Sequence, residues 1–134
     1  MPISPKEKNE LLTVAREAAA SAHCPYSNFH VGAAVLAGGK VFRGCNIENA
    51  SYGLTVCAER VAIFCAVSSG ISRITAIAVA CPDAPDSSAE NMKMPCGACR
   101  QVMAEFGADD LPVLVDRVGE FLLRDLLARP FRLR

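Results

Sequence analysis

Apolar residues along the chain keep two periods, and the switches between them mark its elements. Leu11, Leu12, Ala15, Ala18, Ala19 and Ala22 recur at helical spacing. Just ahead of them stands Ser4-Pro5-Lys6-Glu7, with Ser4 placed to cap, Pro5 at the first helical position and Glu7 able to close a capping box. Cys24 to Asn28 breaks that helix. Val31 to Leu36 reads as a strand, Gly38-Gly39 as a tight turn, and Lys40 to Gly44 as the returning strand. From Cys45 to Tyr52 polar side chains crowd without a period, which predicts a loop dense in hydrogen-bonding groups.

Cys57 opens a helix running to about Ser68, with Val61, Ala62, Cys65 and Ala66 as its inward stripe and Gly70 as its stop. Ile74 to Ala80 is apolar at both parities, so this strand is expected at the sheet centre, covered on each side. Cys81 to Met94 has no period and is expected to be mobile. Pro95 introduces a helix from Cys96 to about Phe106, ended by Gly107. Leu111 to Val115 and Val118 to Phe121 read as strands, and Leu122 to Leu127 as a final helical turn or two. This order predicts an α/β fold, a three-layer α/β/α sandwich with a mixed five-stranded sheet in one domain, 1–134.

Composition narrows the function. The chain is 51% hydrophobic and 21% charged, with mean hydropathy +0.25, which excludes disorder and favours an oligomer that hides apolar surface. Fourteen basic residues balance fourteen acidic ones, so the charge footprint of a nucleic-acid partner is missing and a small molecule is expected instead. No apolar run reaches the ~20 residues of a membrane span. Seven cysteines, an odd number in a chain large enough to need no staples, read as reduced thiols in the cytoplasm.

Three of those thiols carry the chemistry. Cys57-Ala58-Glu59 and, further on, Pro95-Cys96-Gly97-Ala98-Cys99 give the order C-x-E…P-C-x-x-C, each segment at a helix start. Three sulfur ligands leave one corner of a tetrahedral zinc open, as in a catalytic site, and zinc there acidifies water. Glu59 is placed to move that water's proton, and one Zn²⁺ per chain is expected. Other readings stand beside this one. The C-x-x-C pair alone suits a redox dithiol, and Cys45 as a fourth ligand would make the zinc structural. Cys24, Cys45, Cys65 and Cys81 read most simply as buried small hydrophobes. His23 and His30 read as ordinary residues.

Longer stretches add a resemblance. Cys24-Pro25-Tyr26-Ser27, Phe29 to Ala34, Gly44 to Tyr52 and Pro95 to Gln101 together resemble the small homotetrameric zinc-dependent cytidine deaminases, over essentially the whole chain. C-x-E…P-C-x-x-C is a known signature of the zinc deaminases. Cysteine at 57, where deoxycytidylate and RNA-editing deaminases carry histidine, favours the free-nucleoside branch. The resemblance implies zinc on Cys57, Cys96 and Cys99, and hydroxide attack at C4 of cytidine or deoxycytidine with Glu59 as proton shuttle. It implies Phe29 against the pyrimidine, Asn46 and Glu48 on the ribose 3′-hydroxyl, and the backbone at Ala58 and Cys96 on the base's polar edge. Ala50, Tyr52 and the tail aromatic Phe131 are implied to reach a neighbouring subunit's site, in a homotetramer with shared sites. Arg60 is implied to donate to the thiolates. A blasticidin-type deaminase and a non-catalytic zinc-stabilised interaction module are the alternative functions. Segment 81–94 is longer than the resemblance implies, and the tail after Phe131 is shorter.

Overall fold

The computed structural model describes residues 3–86 and 90–133. Helix α1 spans Pro5–Ala18 and begins as its sequence requires: Ser4 Oγ accepts from Glu7 N at 3.1 Å, and Glu7 Oε1 accepts from Ser4 N at 2.9 Å. Strands β1 (Gly32–Ala37) and β2 (Lys40–Cys45) form a hairpin. Its turn places Gly38 and Gly39 at φ 59° and 74°, a left-handed pair that other residues rarely adopt. Helix α2 (Ala58–Ser68), strand β3 (Ala76–Ala80), helix α3 (Gly97–Phe106), strands β4 (Pro112–Val115) and β5 (Gly119–Leu122), and the short helix α4 (Leu123–Leu126) complete the order.

The sheet runs β2-β1-β3-β4-β5, with only β3 and β4 paired in parallel. All five residues of β3 are buried, as a central strand requires. Parity divides the core. Ala33, Val35, Ile77, Val79, Val113 and Val115 face α2 and α3, whereas Ala34, Ala76, Ala78, Ala80 and Leu114 face α1 with Leu11 and Ala15. The result is the three-layer α/β/α sandwich with a mixed sheet. Gly44 matters to it, because a Cβ there would lie 2.4 Å from Ala62 N, so its absence lets the first turn of α2 press onto β2.

One expectation needs correction. The buried stripe of α2 is Ala58, Glu59, Ala62, Ile63 and Ala66, while Val61 is half-buried and Cys65 exposed. Glu59 holds an inward position, and a count of apolar residues alone cannot register a buried carboxyl, so the expected stripe was rotated off the true one. In the stretch 81–94, hydrogen bonds link several of the described residues. Ala84 N donates to Cys81 O at 3.0 Å, and Arg117 donates to Cys81 O and Asp86 Oδ1, each at 2.6 Å. Residues 87–89, within the stretch expected to be mobile, lie outside the described residues.

Candidate active site

Topology brings the two cysteine segments together. Strand β1 pairs antiparallel with both β2 and β3, so those two run parallel on either side of it. Helices α2 and α3 follow β2 and β3, and both therefore start at the carboxyl edge of the sheet, where open α/β sheets place their ligands. Cys57 and Cys96 are the N-cap residues of α2 and α3, both in extended backbone. Their sulfurs lie 3.8 Å apart, Cys96 and Cys99 sulfurs 3.5 Å apart, and all three within 4.8 Å of one another. A tetrahedral zinc with bonds of about 2.3 Å needs sulfurs about 3.8 Å apart, so the donor set fits this metal. Cys45 stands outside the group, and no fourth His, Cys, Asp or Glu joins it among the described residues. The structural-zinc arrangement expected as an alternative is absent there.

Charge is handled by the helix starts and by one cation. Partial positive charge and free N–H groups at a helix N-terminus favour thiolate. The Cys57 thiol is lowered to about 5, chiefly by a hydrogen bond from Cys99, with Arg60 and Cys96 assisting against burial. Cys99 moves the opposite way, upward, because it is the group donating to Cys57 and is itself buried. Arg60 Nη2 donates to Cys57 Sγ at 3.5 Å, while Arg60 Nε is buried with no acceptor among the described residues. Glu59 is 4% exposed, and burial raises its carboxyl to about 7, with the charge of Cys57 adding to the effect. Ala58, wholly buried, opens the first turn, whose N–H groups have no intrahelical acceptor.

A second group, around Phe29, is held by side chains bonded to backbone. Asn46 is buried; its Oδ1 accepts from Val31 N at 2.9 Å and its Nδ2 donates to Phe29 O at 2.8 Å. Phe29 N donates to Ser27 Oγ at 3.0 Å. Glu48 Oε1 accepts from Tyr26 N and Ser27 N at 3.0 and 3.2 Å, and its Oε2 accepts from Ser27 Oγ. Those bonds, the Ser27 hydroxyl foremost, hold the Glu48 carboxyl below its ordinary range. Thus Phe29, Asn46 and Glu48 form one cradle. Ser27, quoted in the motif but given no role, is the hinge of it, and an S-x-F spacing that lets a hydroxyl cap the next N–H but one is its sequence signal.

The remaining predicted residues lie at the surface. Tyr52 is 76% exposed, its ring 6.0 Å and 64° from that of Tyr26, and Ala50 is exposed beside it. Phe131 is 70% exposed, but its backbone is fixed: Gln101 Nε2 donates to Phe131 O at 2.8 Å, and Phe131 N donates to Gln101 Oε1 at 3.3 Å. Arg132 adds bonds to Ala104 O and Asp109 at 2.7 and 2.9 Å. Nothing in the spacing of Gln101 and Phe131 signals this tie. The structure does not bring Phe131 into contact with Phe29, Asn46 or Glu48 of its own chain through any hydrogen bond or ring contact among the described residues.

Comparisons with known proteins agree with this geometry. Residues 5–115 match the family model for the cytidine and deoxycytidylate deaminase zinc-binding region. The chain is 48% identical over 120 residues to the cytidine deaminase of Mycobacterium tuberculosis, spanning 85% of each. It is 44% identical over 130 residues to the cytidine deaminase of Halalkalibacterium halodurans, spanning 93% of this chain and 94% of that one. The crystal structure of cytidine deaminase from Burkholderia pseudomallei superposes with a TM-score of 0.80 at 44% identity, covering 92% of this chain and 98% of the other.

Proposed function

Because the chain belongs to the cytidine and deoxycytidylate deaminase family, we propose that it hydrolyses the C4 amine of cytidine and deoxycytidine, yielding uridine or deoxyuridine and ammonia. It is a zinc-dependent deaminase. The observation that carries the reading is the corner itself, three sulfurs on two helix starts with a buried carboxyl of raised pKa beside them. When bound, zinc supplies Lewis acidity that makes a water nucleophilic near neutral pH. Glu59, buried and with its carboxyl pKa raised, can take that water's first proton and hand it to N3 of the base, then carry the second proton of the same oxygen to the departing amine.

Phe29 offers a ring face to the pyrimidine. After its two internal bonds, Asn46 keeps one N–H and one lone pair, and Glu48 keeps acceptor capacity, for the ribose 3′-hydroxyl. First-turn backbone at Ala58 and the backbone of Cys96 meet the base's polar edge. We read residues 1–134 as one catalytic domain, supported by the single sheet through the described residues. A homotetramer with shared sites is supported by the exposed aromatics Tyr52 and Phe131 and by exposed Ile47, Leu54 and Phe64. Ala50 and Tyr52 then reach a neighbour's site from the loop, and Phe131 from the tail. Ligand thiols must stay reduced, which supports the cytoplasm as the compartment. Helices long and apolar enough to cross a membrane are absent among the described residues.

The test is an ultraviolet assay on purified protein with cytidine, deoxycytidine and blasticidin S in parallel. Turnover of the two plain nucleosides, lost on chelation and restored by zinc, is the expected result. Zinc bound at one per chain without turnover of any substrate would leave an interaction module, and turnover of blasticidin S alone would move the assignment to that activity.

A further inference from the structure

The stretch that carries Phe29 is held from two sides, and only one of them is the loop that follows β2. Ser27 and Asn46 hold Phe29 N, Phe29 O and Val31 N. The remaining N–H, that of His30, donates to Asp83 Oδ2 at 2.8 Å, and His30 Nδ1 meets the same oxygen at 2.7 Å. Asp83 lies 53 positions away, in the turn that leaves the central strand β3. That turn is itself anchored. Ala84 N closes it onto Cys81 O at 3.0 Å, and Arg117 clamps Cys81 O and Asp86 from the far side. Arg117 does so from φ 64°, a left-handed conformation that a non-glycine residue adopts only when its surroundings hold it there.

One carboxylate oxygen therefore takes two bonds from His30, and the segment bearing it is fixed to the sheet. Without Asp83, the Phe29-His30-Val31 stretch keeps its ties to Asn46 and Ser27 but can swing about them. We propose that Asp83 is a positioning residue for substrate binding, acting through His30 to set the ring of Phe29 against the pyrimidine, with Arg117 as its anchor. This rests on the reading that Phe29 packs on the base. Segment 81–86 is thereby an outer support of the site instead of a spacer between β3 and α3.

The test uses the zinc-loaded protein, with kcat, KM for cytidine, zinc content and thermal unfolding measured for Asp83→Ala, Asp83→Asn, Phe29→Ala and the double variant Phe29→Ala/Asp83→Ala. Asp83→Ala raises KM about tenfold, with kcat within about twofold and zinc retained, as loss of one orienting contact predicts. Asp83→Asn keeps an oxygen that accepts from His30 N and recovers most of the KM. In the double variant KM matches that of Phe29→Ala alone, because the ring that Asp83 sets is gone. A raised KM in Phe29→Ala beside an unchanged KM in Asp83→Ala overturns the proposal alone. Additive effects in the double variant, or an Asp83→Ala loss carried by kcat or by zinc content, overturn it too. An unchanged KM in Phe29→Ala removes the ring from the site and takes the proposal with it.

Discussion

At the cysteine corner, position comes from secondary structure. Two helix starts at one sheet edge set the sulfurs, and the Arg60 side chain adds a bond to them from outside the trio. In the cradle around Phe29 the order is reversed. Here side chains of Ser27, Asn46, Glu48 and Asp83 fix a backbone that no helix or strand fixes. The corner's scaffold is the fold itself, so a substitution there changes chemistry and leaves shape alone. The cradle's scaffold includes two side chains assigned to the ligand, Asn46 and Glu48, so a substitution at either disturbs both.

Four substitutions would break or sharpen this contrast. Glu59→Gln is the largest in expected effect: it keeps the shape of the buried carboxyl and should keep zinc, yet lower kcat by about 10⁴-fold, the upper range for general acid–base catalysis. More than a tenth of the wild-type kcat would remove Glu59 from the proton path. Next comes Arg60→Ala. Three thiolates on Zn²⁺ carry a net negative charge that weakens its Lewis acidity, and a donor on sulfur relieves it. We expect zinc to stay bound and kcat to fall roughly 10- to 100-fold, with Cys57→His added to that variant restoring part of the rate. A double variant no faster than Arg60→Ala would defeat the charge argument.

Asn46→Ala tests the other region. It strands Phe29 O and Val31 N, so folding stability should drop by about 1–3 kcal/mol in denaturant titration while KM for cytidine rises and zinc stays. A rise in KM with stability unchanged would mean that Asn46 serves the ligand only. The smallest effect belongs to Glu48→Gln. Its carboxyl is depressed in the folded chain, so its contribution is present in full above the unfolded carboxylate pKa of about 4.3 and is lost as pH falls through the folded value. The thermal midpoints of wild type and variant should therefore differ at pH 6 and converge towards pH 3; a constant gap would show that the ionised form is not what Ser27 and Tyr26 hold.

Much of this was legible in the sequence, for local reasons. The capping box of α1, the Gly38-Gly39 turn and the helix starts at Cys57 and Cys96 all depend on neighbouring residues, and all appear where expected. What escaped was long-range. Nothing in Asp83 or His30 announces a partner 53 positions distant, and nothing in Gln101 announces its grip on Phe131. The placing of β1 between β2 and β3, which brings both cysteine segments to one edge, is a matter of sheet order that periodicity does not encode. The misread stripe of α2 has a further lesson. Its inward face runs Glu59, Ala62, Ile63, Ala66, a regular helical stripe in which the catalytic candidate takes a hydrophobe's place.

That rotation also turns Cys65 outward. Once metal covers Cys57, Cys96 and Cys99, the rest divide unequally: Cys24 and Cys81 are buried and Cys45 is half-covered. Cys65 is then the thiol most open to a labelling reagent among the described residues. Burial and the charge of Glu59 push the Cys81 thiol to about 11, further out of competition. Cys65 also borders Ile47, Leu54 and Phe64, which lie on the same apolar surface. A maleimide dye would therefore mark that surface without mutagenesis. Its attachment rate, followed across a dilution series, would report whether a second molecule covers the label site, giving an optical measure of assembly that is independent of turnover.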